Sequence, residues 1–283
     1  TATRAESGAT AVPVLNKLRE HITPEDFGAA GDGVTDDSTA YTNAMAALGG
    51  GGGTIELGPV TYKFNSTLII KKQIRFIGQG GGHDTGKAKT ALLFPSNMHG
   101  IEIQHSLLSG STDGSWTIIE GIQVRAESKA ATGIGIRNRA HGVTVRNCSV
   151  TGFKDDGIAI DSTGTHCNNW RLDTVRITGC DGDGLFVDGA DANAGVATLV
   201  DASSNGGWGV FDSSFLGNTY LGCHTAANTL GPYKTDNNNA RNVFIGCYSE
   251  AGQGTGSSLV WPTLVYGGHH DAGFTSASTA FTG

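Results

Sequence analysis

Apolar residues in this chain come in short alternating runs, as in Thr54-Ile55-Glu56-Leu57 and in the stretch from Leu68 to Ile77. Polar or glycine-containing turns separate them, which is the pattern of strands rather than helices. One segment differs. Tyr41, Ala44, Met45 and Leu48 fall on one helical face, predicting a helix over about 38–48 that Asp36 or Asp37 caps and the run Gly49 to Gly53 stops. Further along, Gly133-Ile134-Gly135-Ile136, Gly157-Ile158-Ala159-Ile160, Gly184-Leu185-Phe186-Val187 and Gly209-Val210-Phe211-Asp212 recur at intervals of 24, 27 and 25 residues. A period in the twenties marks a solenoid, and the leucine-asparagine pattern of a leucine-rich repeat is absent. The expected fold is therefore an all-β parallel β-helix of on the order of nine rungs, with an N-terminal capping helix. Its expected boundaries are an arm over 1–24, the β-helix over 25–268 and a tail over 269–283.

Composition narrows the classes. The 44 glycines follow no three-residue period, so collagen is excluded and a turn-dense β protein is favoured. A net charge of −7 disfavours non-specific binding to nucleic acid or to an anionic membrane. No apolar run approaches the roughly 18 residues of a spanning helix, so membrane insertion is not expected. Cys148, Cys167, Cys180, Cys223 and Cys247 are odd in number and lack zinc-site spacing, so they are expected to be buried fillers. No metal and no cofactor is expected.

Stacking the repeats places Cys148, Val175, Val200, Cys223 and Cys247 in one inward column. The next residue of each rung then faces outward. That column reads Ser149, Arg176, Asp201, His224 and Tyr248, and two residues on it reads Thr151, Thr178, Ser203, Ala226 and Glu250. A third column before the repeat glycines reads Thr132, Asp156, Asp183 and Trp208. Aromatic faces bind sugar rings, carboxylates handle protons, and arginine or histidine meets developing negative charge. Candidate catalytic residues are thus Asp156, Asp183, Asp201, His224 and Glu250, with Asp155, Arg176, Trp208 and Tyr248 as binding residues. The plainer alternative is that aspartate before glycine is turn chemistry and that Arg176 and Asp201 form a ladder pair. Trp116, Trp170 and Trp261 fit either stacking platforms or core.

The stretch from Asp26 to Asp37, Asp-Phe-Gly-Ala-Ala-Gly-Asp-Gly-Val-Thr-Asp-Asp, resembles the opening motif of the pectate-lyase-like superfamily, and Leu18 to Glu25 resembles the lead-in of phage tailspike and tail-fibre depolymerases. The resemblance implies a right-handed β-helix, a polysaccharide partner, a homotrimer and an extracellular or virion-associated location. Asp32, Asp36 and Asp37 themselves read as a turn and helix cap. Asp155-Asp156 and Arg176-Ile177 are similar to motifs of the polygalacturonase branch, but Thr178 replaces its lysine and no Gly-His-Gly is present. Calcium-binding pectate lyases are matched only poorly, by Asp181, Asp183 and Asp188. The expected activity is depolymerisation of a polysaccharide, by hydrolysis ahead of β-elimination, with a non-catalytic receptor-binding module as the alternative.

Overall fold

The computed structural model describes residues 21–82, 88–95, 97–108, 113–128, 133–237, 240–250, 254–260, 263–270, 274–276 and 280–281. Residues 1–20 of the expected N-terminal arm, Thr132 and Trp261 lie outside them, while the end of that arm, His21–Ile22, pairs as a strand with Thr54 and Ile55. Each coil visits three parallel sheets in turn, of eleven, ten and nine strands among the described residues. One full rung runs through Arg171–Asp173 in the first sheet, Arg176–Thr178 in the second and Leu185–Gly189 in the third. Crossovers between parallel strands of one sheet take the right hand, so the molecule is a right-handed parallel β-helix. Strand pairing continues past Gly268, with His269–His270 on Tyr248–Ser249 and Ala280–Phe281 below Leu264–Tyr266.

The core is the inward column of every rung. Cys148, Val175, Val200, Cys223 and Cys247 are all buried, and the five cysteines are free thiols. Burial pushes the Cys148 thiol up to about 12, which keeps it an inert small filler. Aromatic rings stack from rung to rung, Phe64 on Phe94 at 5.4 Å and Tyr220 on Phe244 at 4.6 Å. Trp170 is also core, with its indole N–H donated to the Ala192 carbonyl at 3.3 Å.

Two turns set how side chains reach the surface. Between the first and second sheets a single left-handed residue turns the chain in six successive rungs: Gly121, Asn147, Thr174, Leu199, Gly222 and Gly246 all have φ between 51° and 68°. Each donates its N–H to a carbonyl of the next rung, as Thr174 does to Thr198 at 3.0 Å. Between the second and third sheets, buried Asn205 and Asn228 form a ladder. Asn205 accepts the Cys180 N–H at 3.1 Å, and Asn228 accepts the Asn205 N–H at 3.0 Å.

The helix Ser38–Ala47 lies over the first rung, where the Tyr41 ring meets Phe64 and Phe76. Asp37 holds the N-cap position, but its carboxylate accepts from the Ala30 and Lys63 N–H groups at 2.7 and 3.2 Å instead of capping. Asp36 takes the Ser38 N–H at 3.0 Å, and Asp32 the Val34 and Thr35 N–H groups. These aspartates are the turn and helix start, as their glycine-flanked setting implies. At the other end the Lys72 ammonium takes the Met45 and Leu48 carbonyls at 3.1 and 2.8 Å. Of the glycines that follow, Gly52 has φ +78°, and a Cβ there would lie 1.7 Å from the Gln73 carbonyl oxygen.

Candidate functional site

The second sheet carries the densest column of chemical groups. Its register pairs Ser149 with Arg176, Arg176 with Asp201, Asp201 with His224, His224 with Tyr248 and Tyr248 with His269. Asp201 sits between an imidazole and a guanidinium, 3.1 Å from His224 Nδ1 and 4.0 Å from Arg176 Nε, and the Ser203 hydroxyl donates to it. His224 Nε2 lies 3.4 Å from Glu250. The imidazole thus has a carboxylate at each nitrogen. Glu250 is the more exposed of the two. Tyr248 is stacked between the His224 and His269 rings at 5.4 and 5.3 Å, making a three-ring strip. A cleft of 340 Å³ opens beside Arg176 and Asp201, against the left-handed residues Asn147, Thr174 and Leu199. Ser149, expected at the outward head of this column, is buried and donates to the Gly81 carbonyl at 2.7 Å, because the chain near Gly81 and Gly82 covers it.

Asp155, Asp156, Asp183 and Trp208 occupy a different place, the corner between the second and third sheets. There the side chain of one rung holds the backbone of a neighbouring rung. Asp155 accepts the Gly133 N–H at 2.8 Å, Asp156 the Asp183 N–H at 2.8 Å, and Asp183 the Trp208 N–H at 2.5 Å. These bonds use one oxygen of each carboxyl. Burial pushes Asp156 up to about 7; the bond from Asp183 opposes the rise, and the charges of Asp183 and Asp155 add to it. Burial also raises Asp183, against the Trp208 N–H and the positive charge of Lys234. The Trp208 ring lies over Gly231 of the next rung, where a Cβ would come within 2.4 Å of it. Asp181 pairs with Lys154 at 2.9 Å, so the three aspartates considered for calcium have separate partners.

One correction concerns the repeat. Ile136 pairs with Ile158, so Gly135, not Gly133, is the counterpart of Gly157, Gly184 and Gly209. Both glycines are sterically required, which is why the sequence did not separate them: a Cβ on Gly133 would lie 2.2 Å from the Met98 carbonyl oxygen, and one on Gly135 2.2 Å from Val150. With Gly135 in register, the outward face of the third sheet reads Glu102, Arg137, Ala159, Phe186, Phe211 and Lys234.

That face holds residues the sequence reading missed. Arg137 donates to Asp161 through Nε at 2.9 Å and lies 3.7 Å from Glu102, while Arg139 Nε is 3.4 Å from Asp161. Burial works to raise Asp161, but its bonds from Thr163 and Arg137 outweigh burial and hold it ionised. One rung on, burial and the Asp161 charge raise Asp188. Phe186 and Phe211 lie 5.1 Å apart, with the Lys234 ammonium 4.0 Å over the Phe211 ring. The signal was present, since Phe186 and Phe211 hold the same place in two successive repeats.

Residues 23–118 match the family described as Rhamnogalacturonase A/epimerase, pectate lyase-like. The chain is 27% identical over 164 residues to Depolymerase 1, capsule KN3-specific, of Klebsiella phage KN3-1, a match covering 54% of this chain and 20% of that relative. Among solved structures it is similar to ORF18 of Geobacillus virus E2, with a TM-score of 0.64 at 16% identity over 99% of this chain and 66% of the other. It is also similar to the phiAB6 tailspike, solved in complex with three-repeated oligosaccharides of Acinetobacter baumannii surface polysaccharide. There the TM-score is 0.63 at 16% identity, over 93% of this chain and 48% of the other. The chain thus spans about a fifth of the length of the curated relative.

Proposed function

Since the chain is a pectate-lyase-like β-helix that resembles phage tailspike depolymerases, we propose that it is the polysaccharide-cleaving domain of a virion-associated or extracellular depolymerase, and that it acts as a glycoside hydrolase. The observation that carries this reading is the pairing of Asp156 with Asp183 one rung apart, at a corner that also presents Trp208 and lies within the field of Lys234. Glycoside hydrolysis needs one carboxyl that holds its proton and one that has lost it. Burial and two neighbouring carboxylates favour the protonated form of Asp156, which suits it to protonate the leaving oxygen. Burial raises Asp183 as well, but the Trp208 N–H and Lys234 oppose that rise, which suits it better than Asp156 to the role of base or nucleophile. Asp155 orders the corner through its bond to the Gly133 N–H, and Phe186, Phe211 and Trp208 offer faces for sugar rings.

A second reading has its own observation. His224 between Asp201 and Glu250, stacked on Tyr248 and one rung from the Arg176–Asp201 pair, suits β-elimination from a uronate, with Arg176 meeting the carboxylate and His224 or Tyr248 moving the proton. The domain is further proposed to work as a homotrimer on a bacterial surface or extracellular polysaccharide. The deciding experiment incubates the protein with a panel of capsular and exopolysaccharides, following reducing ends and the ultraviolet absorbance of unsaturated ends. Reducing ends without unsaturation, lost in Asp156→Asn and Asp183→Asn, support hydrolysis. Unsaturated ends lost in His224→Ala support elimination. Binding with no cleavage across the panel defeats both.

A further inference from the structure

Trp116 is a large apolar side chain that the fold holds out in solvent. It lies between the third-sheet strand Ile101–Gln104 and the first-sheet strand Ile118–Glu120, on a different corner of the helix from Asp156 and Asp183. Its side chain is 54% exposed and its backbone has φ +62°. A bulky residue in that conformation is strained, and a largely exposed indole does not offset the strain by packing.

The surroundings fix the backbone that carries the indole. The Trp116 N–H donates to the His141 carbonyl at 2.8 Å, Asp113 N–H to Lys71 at 2.7 Å, Gly114 N–H to Gln104 at 2.7 Å, and the Thr117 hydroxyl to Lys72 at 3.2 Å. One side of the ring rests on Gly142, where a Cβ would lie 2.4 Å from Cε3, and the His141 ring meets it edge-on at 5.3 Å. His141 is itself placed by Asn169 at 3.1 Å and by the Ser115 hydroxyl, which accepts its N–H at 3.2 Å.

Two clefts share this side chain. One of 280 Å³ is lined by Gln73, His105, Asp113, Ser115, Trp116 and His141, and one of 310 Å³ runs past Gln73 and Trp116 to Thr54 and Arg75. Both have the size of a small-ligand cleft, near the low end of roughly 300–1,000 Å³. An aromatic face bordered by an amide, a carboxylate and imidazoles is the chemistry of sugar recognition, in which ring C–H groups stack on the indole and hydroxyls bond to the polar rim. A protein-docking patch would surround the tryptophan with apolar side chains, whereas the near neighbours in the first cleft are polar or ionisable.

We propose that Trp116, with Gln73 and Asp113, forms a saccharide-binding subsite separate from the carboxylate corner, holding a pyranose unit against the indole. The subsite draws only its ligand class from the carbohydrate reading. Its test measures binding and not turnover, so failure of the hydrolase reading and failure of this one are distinguishable.

The probes are D-glucose, D-galactose, D-mannose and D-glucuronate, each titrated against the full chain by ligand-observed NMR. In parallel, the Trp116 indole N–H resonance is followed after assignment with Trp116→Phe. The expected result is a saturable shift of that resonance by at least one probe, with a dissociation constant in the millimolar range. Trp116→Gly, whose backbone suits φ +62°, is expected to keep or raise the melting temperature and to weaken binding at least tenfold. Gly142→Ala, which displaces the indole, is expected to weaken it as well, and Asp156→Asn to leave it unchanged. No shift of the Trp116 resonance by any probe, or wild-type affinity in Trp116→Gly, overturns the proposal. So does a concentration-dependent self-association lost in Trp116→Gly without any sugar response.

Discussion

Replacing Asp156 with asparagine separates the stability of the corner from its chemistry. In the folded chain burial carries the Asp156 carboxyl from 3.8 to about 7, with help from the charges of Asp183 and Asp155. A carboxyl whose folded pKa is raised contributes stability that is whole below its unfolded value and is lost as pH rises through the folded one. A shift of about three units corresponds to roughly 4 kcal/mol, and the partial exposure of the corner lowers this to about 2–4 kcal/mol. Asparagine copies the protonated acid, and its Oδ1 still accepts the Asp183 N–H that Asp156 takes at 2.8 Å. Thermal and urea unfolding of Asp156→Asn and wild type, compared at about pH 4 and about pH 8.5, is therefore expected to give near-equal stabilities in acid. In base the variant should lead by about 2–4 kcal/mol, while polysaccharide turnover is lost at both. A difference that does not grow between those pH values refutes the burial argument. A stable variant with full turnover refutes the role of Asp156 as acid.

Three further outcomes test other parts of the structure. Asn228→Ala removes the acceptor for the Asn205 N–H and the donor to the Ala202 carbonyl, which Asn228 reaches at 2.8 Å. With two buried groups unpaired at about 1–3 kcal/mol each, urea unfolding should show a loss of about 2–6 kcal/mol, and a loss below about 1 would contradict the ladder's role. Thr174→Asn puts at φ +54° a residue that tolerates it, as Asn147 does one rung earlier at φ +51°. The melting temperature should rise by roughly 2–4 °C for about 1 kcal/mol of relieved strain, and a fall would refute it. Phe211→Ala strips one ring from the platform under Lys234 and should raise KM for the cleaved polysaccharide about three- to tenfold with kcat little changed. A loss confined to kcat would place Phe211 elsewhere in the reaction.

The fold and the second-sheet column were legible in the chain itself, because a parallel solenoid turns sequence period into spatial stacking. The inward column of Cys148, Val175, Val200, Cys223 and Cys247 and the outward column of Arg176, Asp201, His224 and Tyr248 follow from the period and the alternation of strand side chains, and the rungs pair in that register. Where two glycines compete for one place, as Gly133 and Gly135 do, pattern cannot choose. The two-residue error hid Arg137 and with it the Glu102, Arg137 and Asp161 cluster.

Other features depended on groups distant in sequence and needed the tertiary structure. Whether an aspartate before a glycine is a turn residue or a proton donor depends on what surrounds its second oxygen, and for Asp156 that environment comes from Asp155 and from Asp183, a rung away. The tryptophans divided in the same way. Trp170 is core and Trp116 stands in solvent, because one turns inward just before the strand Arg171–Asp173 and the other is a left-handed residue in a corner. The chain by itself determined the β-helix, its register over most rungs and the column around His224, since these rest on local alternation repeated at a constant period. The tertiary structure decided the separation of that column from the Asp156 corner, the third-sheet platform and the exposure of Trp116. Those depend on how far each turn rotates the chain before the next strand begins, and the irregular lengths of the turns leave that angle unreadable in sequence.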